Sequence, residues 1–258
     1  MILDVNAYLG PFAFRALRRD DAPGLLSRMD AKGIDRAAVS SALAITYRNV
    51  QPANERLAAD VRGRDDRFIP IAVLNPAYAG WEDDLRACRD LGFRGLRIYP
   101  KWHGYSLSDP ACLDLVDAAT EAGMPITIPI RVEDVRNQAL LTDVAEVPLA
   151  EIAALVAARP KARFVLLNGV GFINGPLGRA GALPDNYLIE ISRPTSIPTD
   201  EVGRLLTALG PGRLAFGTGM PFQYPDIALL KLELLRASDA DKARITWGNA
   251  AAWLGLGG

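Results

Sequence analysis

Histidine is almost missing from this sequence: 258 residues hold one, His103, beside two cysteines, Cys88 and Cys112. So few soft ligands argue against a catalytic zinc centre, which needs several His, Cys or carboxylate groups on one spot. The cysteines sit in unrelated helical patterns without metal or redox spacing, which suits a reducing compartment better than a disulfide. Charge of one sign is lacking too, with 29 basic against 30 acidic side chains, so neither nucleic acid nor an anionic membrane is an expected partner. No apolar run reaches membrane-spanning length. The opening MILDVNAYLG carries no basic leader, so a signal or transit peptide is not expected and a cytoplasmic location is. Linkers are absent as well, which favours one domain over residues 1–258. No GxGxxG follows the first strand pattern, which removes the usual nucleotide-binding open sheet.

What is present is an alternation. Eight β-rich runs, ILDVN, RAAVSSAL, FIPIAVL, GLRIY, PITIPI, RFVLLN, YLIEIS and RLAFG, are separated by segments whose apolar residues recur every three or four positions, such as ANERLAADVRG and TDEVGRLLTALG. Joints such as AKGIDRAAV and EAGMPITI end a helix on glycine and enter a strand within a few residues. The exception is GFINGPLGRAGALPD, whose glycines and prolines predict a loop or short helix between strands six and seven. Eight strands with helical crossovers point to an α/β fold, a single-domain TIM (β/α)8 barrel, closed by a short extra helix in WGNAAAWLGL.

The order and spacing of DVNAYLG, VLNP, LGFRGLRIYP, AGMPITI, FGTGMP and WGNAAAWLGL resemble the amidohydrolase superfamily, in its amidohydrolase-related (amidohydrolase 2) branch of metal-dependent hydrolases and decarboxylases. In that family, two His on strand one, one each on strands five and six, and an Asp on strand eight hold the metal. The resemblance places those positions on Asn6, Tyr8, Pro129, Asn168 and Gly219, none of them a strong ligand. The expectation is therefore a barrel with no metal and no cofactor.

Strand alternation places Asp4, Asn6 and Tyr8 on one face, and the resemblance turns that face into the barrel. Arg97, Tyr99, Trp102, His103 and Tyr105 follow strand four, and Arg131, Glu133 and Asp134 follow strand five. Aromatics beside a lone His and an Arg suit a small, partly apolar anion. His103 is the expected general acid or base. Glu133 or Glu190 would orient it, and Tyr8 would offer a hydroxyl. Arg97 and Arg131 would grip a carboxylate, with Asn6, Tyr99, Tyr105, Asn168 and Glu190 completing the pocket, or else pair with Asp4, Glu133, Asp134 or Glu190 as a buried ionic lattice. The resemblance then implies a metal-independent hydrolase or decarboxylase acting on a small carboxylate, although the relative known for metal-free lactone hydrolysis uses the strand-eight Asp, which here is Gly219. The alternatives are a catalytically silent barrel acting as a ligand-binding protein or as the partner subunit of an active paralogue, or a hard cation held through Asp4, Glu133, Asp134 or Glu190; beside the small-molecule substrate, the partners allowed for are a second copy in a homo-oligomer or a paralogous subunit.

Overall fold

The computed structural model describes residues 1–139, 142, 144–196 and 199–256. Eight parallel strands follow one another in chain order around a single sheet: β1 (Leu3–Leu9), β2 (Arg36–Ser41), β3 (Phe68–Val73), β4 (Gly95–Arg97), β5 (Ile126–Pro129), β6 (Phe164–Leu167), β7 (Tyr187–Glu190) and β8 (Leu214–Ala215). The barrel closes through β1 and the chain following β8. Val5 N donates to Phe216 O, Tyr8 N to Met220 O, and Gly219 N to Asn6 O.

Around the barrel run α1 (Ala22–Ala31), α2 (Gln51–Val61), α3 (Trp81–Asp90), the one-turn α4 (Pro100–His103), α5 (Pro110–Glu121), α6 (Leu149–Ala158), α7 (Glu201–Leu209) and α8 (Pro225–Leu234). The short α9 (Asp239–Ala243) and α10 (Asn249–Trp253) end the chain. Sequence explains their limits. Asp21 caps α1 by accepting from Gly24 N, and Asp200 caps α7 by accepting from Gly203 N. Between β6 and β7 the glycine-rich segment forms only two 3-10 turns. No helix among the described residues is long and apolar enough to cross a membrane.

Three apolar layers set the vertical order. Outward-facing strand residues such as Leu96, Ile98, Ile126 and Ile128 pack on the helices through Leu25, Leu115 and Val156. Inside, Leu3, Val5, Ile69, Ile71, Val165 and Leu188 fill the lower barrel, and Ala250, Ala251 and Leu254 of α10 pack against them. A third cluster at the opposite end joins Tyr8, Phe12, Val73, Tyr99, Val132 and Phe222. Polar strand residues gather in the space between the lower inner cluster and the mouth cluster.

One sequence expectation fails here. The pairing of β1 with β2 shifts register between Asp4 and Ala7, so strict alternation breaks. Leu3 and Val5 face the inner layer, Ala7 and Leu9 the helices, and Tyr8 the mouth cluster. Asp4 is thus out of phase with Tyr8 rather than sharing its face.

Candidate active site

Above the lower inner layer, the strand faces that carry Ala38 and Leu188 continue into polar residues. Ser40 on β2, Arg97 on β4, Thr127 on β5 and Glu190 on β7 are all buried. Tyr8 stands opposite Ser40 in the β1–β2 register.

Arg97 lies at the centre of this level, fully buried. Its Nε donates to Thr127 Oγ1 at 3.0 Å, and its two terminal nitrogens donate to Ala7 O at 3.4 Å and Val5 O at 3.3 Å. The guanidinium carbon sits 4.6 Å from the Tyr8 ring centre, a cation–π contact. Among the described residues no carboxylate forms an ion pair with it. A buried cation without a counter-ion is costly, so this arrangement carries stored demand for an anion.

The surroundings have the complementary property. Asn6 Nδ2 and Oδ1, the Tyr8 and Tyr99 hydroxyls and Ser40 Oγ are buried and make no hydrogen bond among the described residues. The Tyr99 hydroxyl has Ser40, Arg97 and Tyr8 as polar neighbours. Burial pushes both phenols above their ordinary range, so both stay protonated donors. Buried polar atoms rarely lack partners. Here several gather beside one guanidinium.

The carboxylates, by contrast, are engaged separately. Asp4 accepts from the Asn6 and Thr218 amides and from Thr218 Oγ1. Burial lifts its pKa to about 6 despite these donors. Glu190 accepts from Asn168 N at 2.9 Å and from Ser192 N and Oγ, and burial likewise raises it. Gly217 is what admits this side chain, since a Cβ there would fall 2.5 Å from Glu190 Cγ. Glu133 is buried, pairs with Arg15 at 3.4 Å, and is raised by desolvation against that pull. Asp134 bonds Arg136 and Arg131. No group of three or more His, Cys, Asp or Glu side chains converges among the described residues.

Three expected partners go to three places. His103 ends α4, and its Nε2 donates to Ala44 O at 3.0 Å. That tautomer leaves Nδ1 as a buried lone pair without a partner. The ring packs on Tyr99 with centroids 5.7 Å apart, and burial lowers its pKa. Arg131 turns to Asp134 and, at 3.6 Å, Glu146, so it does not share a target with Arg97. Asn168, in a left-handed conformation at φ 54°, donates to Arg131 O and Val132 O and accepts from Gln223. It ties three strand ends together. Tyr105 is buried against His103, its hydroxyl unpaired.

The mouth is closed from above. Phe12 meets Phe222 at 5.0 Å and Trp102 at 5.9 Å, Phe222 meets Tyr8 at 5.0 Å, and Phe14 leans on Phe12. Arg15 lies 5.6 Å from the Phe222 ring and holds Glu133. Sequence reasoning missed Ser40, Thr218, Phe12, Arg15 and Phe222. Ser40 was within reach, two residues beyond inward-facing Ala38 in a buried strand. The lid residues come from loops whose path no local pattern encodes.

A family model described as amidohydrolase matches residues 4–167. The fold is similar to 2,6-dihydroxybenzoate decarboxylase from Rhizobium, at 20% identity and a TM-score of 0.73, covering 100% of this chain and 98% of that one. It is also similar to a dihydroxybenzoic acid decarboxylase from Polaromonas with bound manganese and the inhibitor 2-nitroresorcinol, at 17% identity and TM-score 0.72, with 99% and 97% covered. A third similar structure is 4-oxalomesaconate hydratase from Rhodopseudomonas palustris, at 15% and 0.71, with 99% and 96% covered. Among curated proteins none matches significantly.

Proposed function

The chain belongs to the amidohydrolase family, and from that membership we propose an enzyme that hydrolyses or decarboxylates a small carboxylate-bearing molecule without a divalent metal. The observation that carries this reading is Arg97, a fully buried guanidinium with no ion pair, flanked by unpartnered Asn6, Tyr8, Ser40 and Tyr99. A bound carboxylate would meet the guanidinium in a charge-assisted contact. The two protonated phenols and the Asn6 amide would donate to its remaining lone pairs. The similar decarboxylases and hydratase named above act on small carboxylates, which supports the substrate class.

The residues present do not fit the metal. The family positions hold Asn6, Tyr8, Pro129, Asn168 and Gly219, of which only the first, second and fourth carry any donor. Asn168 has already engaged its amide with Arg131, Val132 and Gln223, and Tyr8 is held in its neutral form. The Arg97 guanidinium lies against Tyr8 and the carbonyls on either side of Asn6. A divalent ion there would meet a fixed positive charge at low dielectric. The proton-handling role falls to this chain's own groups. Glu133, whose raised pKa favours the acid form, stands under the lid, and the Nδ1 lone pair of His103 stands behind Tyr99. Either would deliver or accept the proton that bond cleavage requires.

A panel of small aryl and aliphatic carboxylates should raise the melting temperature of wild type but not of Arg97→Met. Because Arg97→Met removes a buried charge that makes no ion pair among the described residues, the melting temperature of the unliganded variant should rise. Turnover of whichever carboxylate binds should survive chelator. Activity that appears only on adding manganese would overturn the metal-free reading. The closed aromatic mouth favours a second reading, a silent ligand-binding barrel, and binding without turnover would select it.

A further inference from the structure

We propose that residues 11–19 form a gate over the Arg97 level, held shut by the ion pair of Arg15 with Glu133. The segment is a loop with pinched ends. Gly10, just before it, and Arg19, at its end, are left-handed, with φ 90° and 60°, and Gly10 N donates to Asp20 O at 2.6 Å. A bridge pairs Phe12 with Arg15 inside the loop, and Arg28 of α1 donates to Arg18 O. These bonds hold the loop together and on its own side of the barrel. Among the described residues, a single side chain bonds it across the mouth. Arg15 donates through Nε to Glu133 Oε2, beyond β5, at 3.4 Å, and through a terminal nitrogen to Phe222 O, beyond β8, at 3.5 Å.

What Arg15 holds down is a hydrophobic cover. Phe12 and Leu17 are buried in the mouth cluster with Tyr8 and Tyr99, and Phe12 and Phe14 lean on Trp102 with ring centres 5.9 and 6.1 Å away. Apolar contact is non-directional, so it seats the loop without fixing one position, whereas the ion pair does fix it. The orphaned Tyr8, Tyr99 and Ser40 hydroxyls lie in the level beneath, and a guest that pairs with them has to pass this cover. The latch is of a kind that yields. Arg15 keeps 34% of its side chain exposed while Glu133 keeps 3%, and an ion pair open to water on one side is a weak one. When it parts, the loop turns on Gly10 and Arg19, as active-site lids turn on a few loop residues. The gate deepens the carboxylate-enzyme reading above by naming what admits the substrate, and Arg15 then serves as a positioning residue for Glu133.

Thiol labelling tests this without a substrate, so the gate and the reading it rests on can fail separately. Ser40→Cys places a thiol beneath the loop. Cys88 and Cys112 are buried, their thiols pushed up to about 12, and serve as the control for global unfolding. Reaction with iodoacetamide, followed by peptide mass, should be on the order of tenfold faster in Arg15→Gln or Glu133→Gln than with the latch intact, both native cysteines staying unreacted. The chain carrying both changes should label no faster than either single variant, because the two residues act as a unit, and Arg15→Lys should label within about threefold of the intact latch. Equal rates with and without the latch, a double variant whose acceleration is the product of the single ones, or Arg15→Lys as fast as Arg15→Gln would overturn the proposal. Where Ser40→Cys does not fold, tryptic cleavage after Arg18 and Arg19 makes the same comparison in chains that keep Ser40. Glu133→Gln should then be cut on the order of tenfold faster than wild type, and equal cleavage would overturn the gate.

Discussion

Asp4 joins β1 to the chain after β8 through two donors of Thr218 and also accepts from Asn6 N, yet burial lifts its pKa from 3.8 to about 6. The folded chain therefore holds this proton more tightly than the unfolded one. Its stabilising contribution is complete below about pH 4 and is lost as pH rises through 6, a swing on the order of 3 kcal/mol. Melting temperature should climb as pH falls from about 7 to 5, with Glu190 and Glu133 adding in the same direction. In Asp4→Asn the climb should be smaller, and a slope equal to that of wild type would show the carboxyl to be unperturbed. Gly217 belongs to the same scale. An alanine there collides with Glu190, and the overpacking should cost about 1–3 kcal/mol in urea unfolding.

Between strand and helix, the segment linking β1 to α1 is the element that shapes the mouth. Gly10 turns it at φ 90° and donates to Asp20 O at 2.6 Å, which closes the segment into a loop carrying Phe12, Phe14 and Arg15. Nothing lies within 4 Å of a Cβ added at Gly10. Gly10→Ala should therefore lose about 1 kcal/mol through backbone conformation alone, read as a lower denaturation midpoint at unchanged m-value. Glu190 stood out in the sequence as a carboxylate within an apolar strand, and the alternation of RAAVSSAL held an unused sign that Ser40 turns inward with Ala38. DVNAYLG misled, because the register shift within β1 is a property of its pairing with β2 and leaves no mark on the residue types. The aromatic lid was equally hidden, since Phe12, Trp102 and Phe222 follow three different strands and meet only in space.

At the scale of the whole molecule, the barrel is stoppered at both ends by different chemistry. Leu254, beyond α10, packs with Leu3, Val5 and Val165, so Leu254→Asp buries a charge in an apolar layer and removes its filling. Loss of several kcal/mol is expected, visible as a large fall in urea midpoint without loss of the mouth's aromatic packing at low denaturant. The polar level between the two stoppers holds Arg97, fully buried and, among the described residues, without an ion pair.

The amino-acid sequence by itself determined the eight-fold strand and helix alternation, the glycine-ended joints and the closing helix. These rest on local period and backbone preference, which a chain carries wherever it goes. Through the resemblance it also set the expectation that Asn6, Tyr8, Pro129, Asn168 and Gly219 stand where the family holds its metal. Only the tertiary structure decided that Arg97 stands unpaired among orphaned hydroxyls, that Arg131 and His103 are turned elsewhere, and that a lid covers them. Those outcomes depend on which side chains from distant strands compete for the same buried space, and that competition exists only once the barrel has closed.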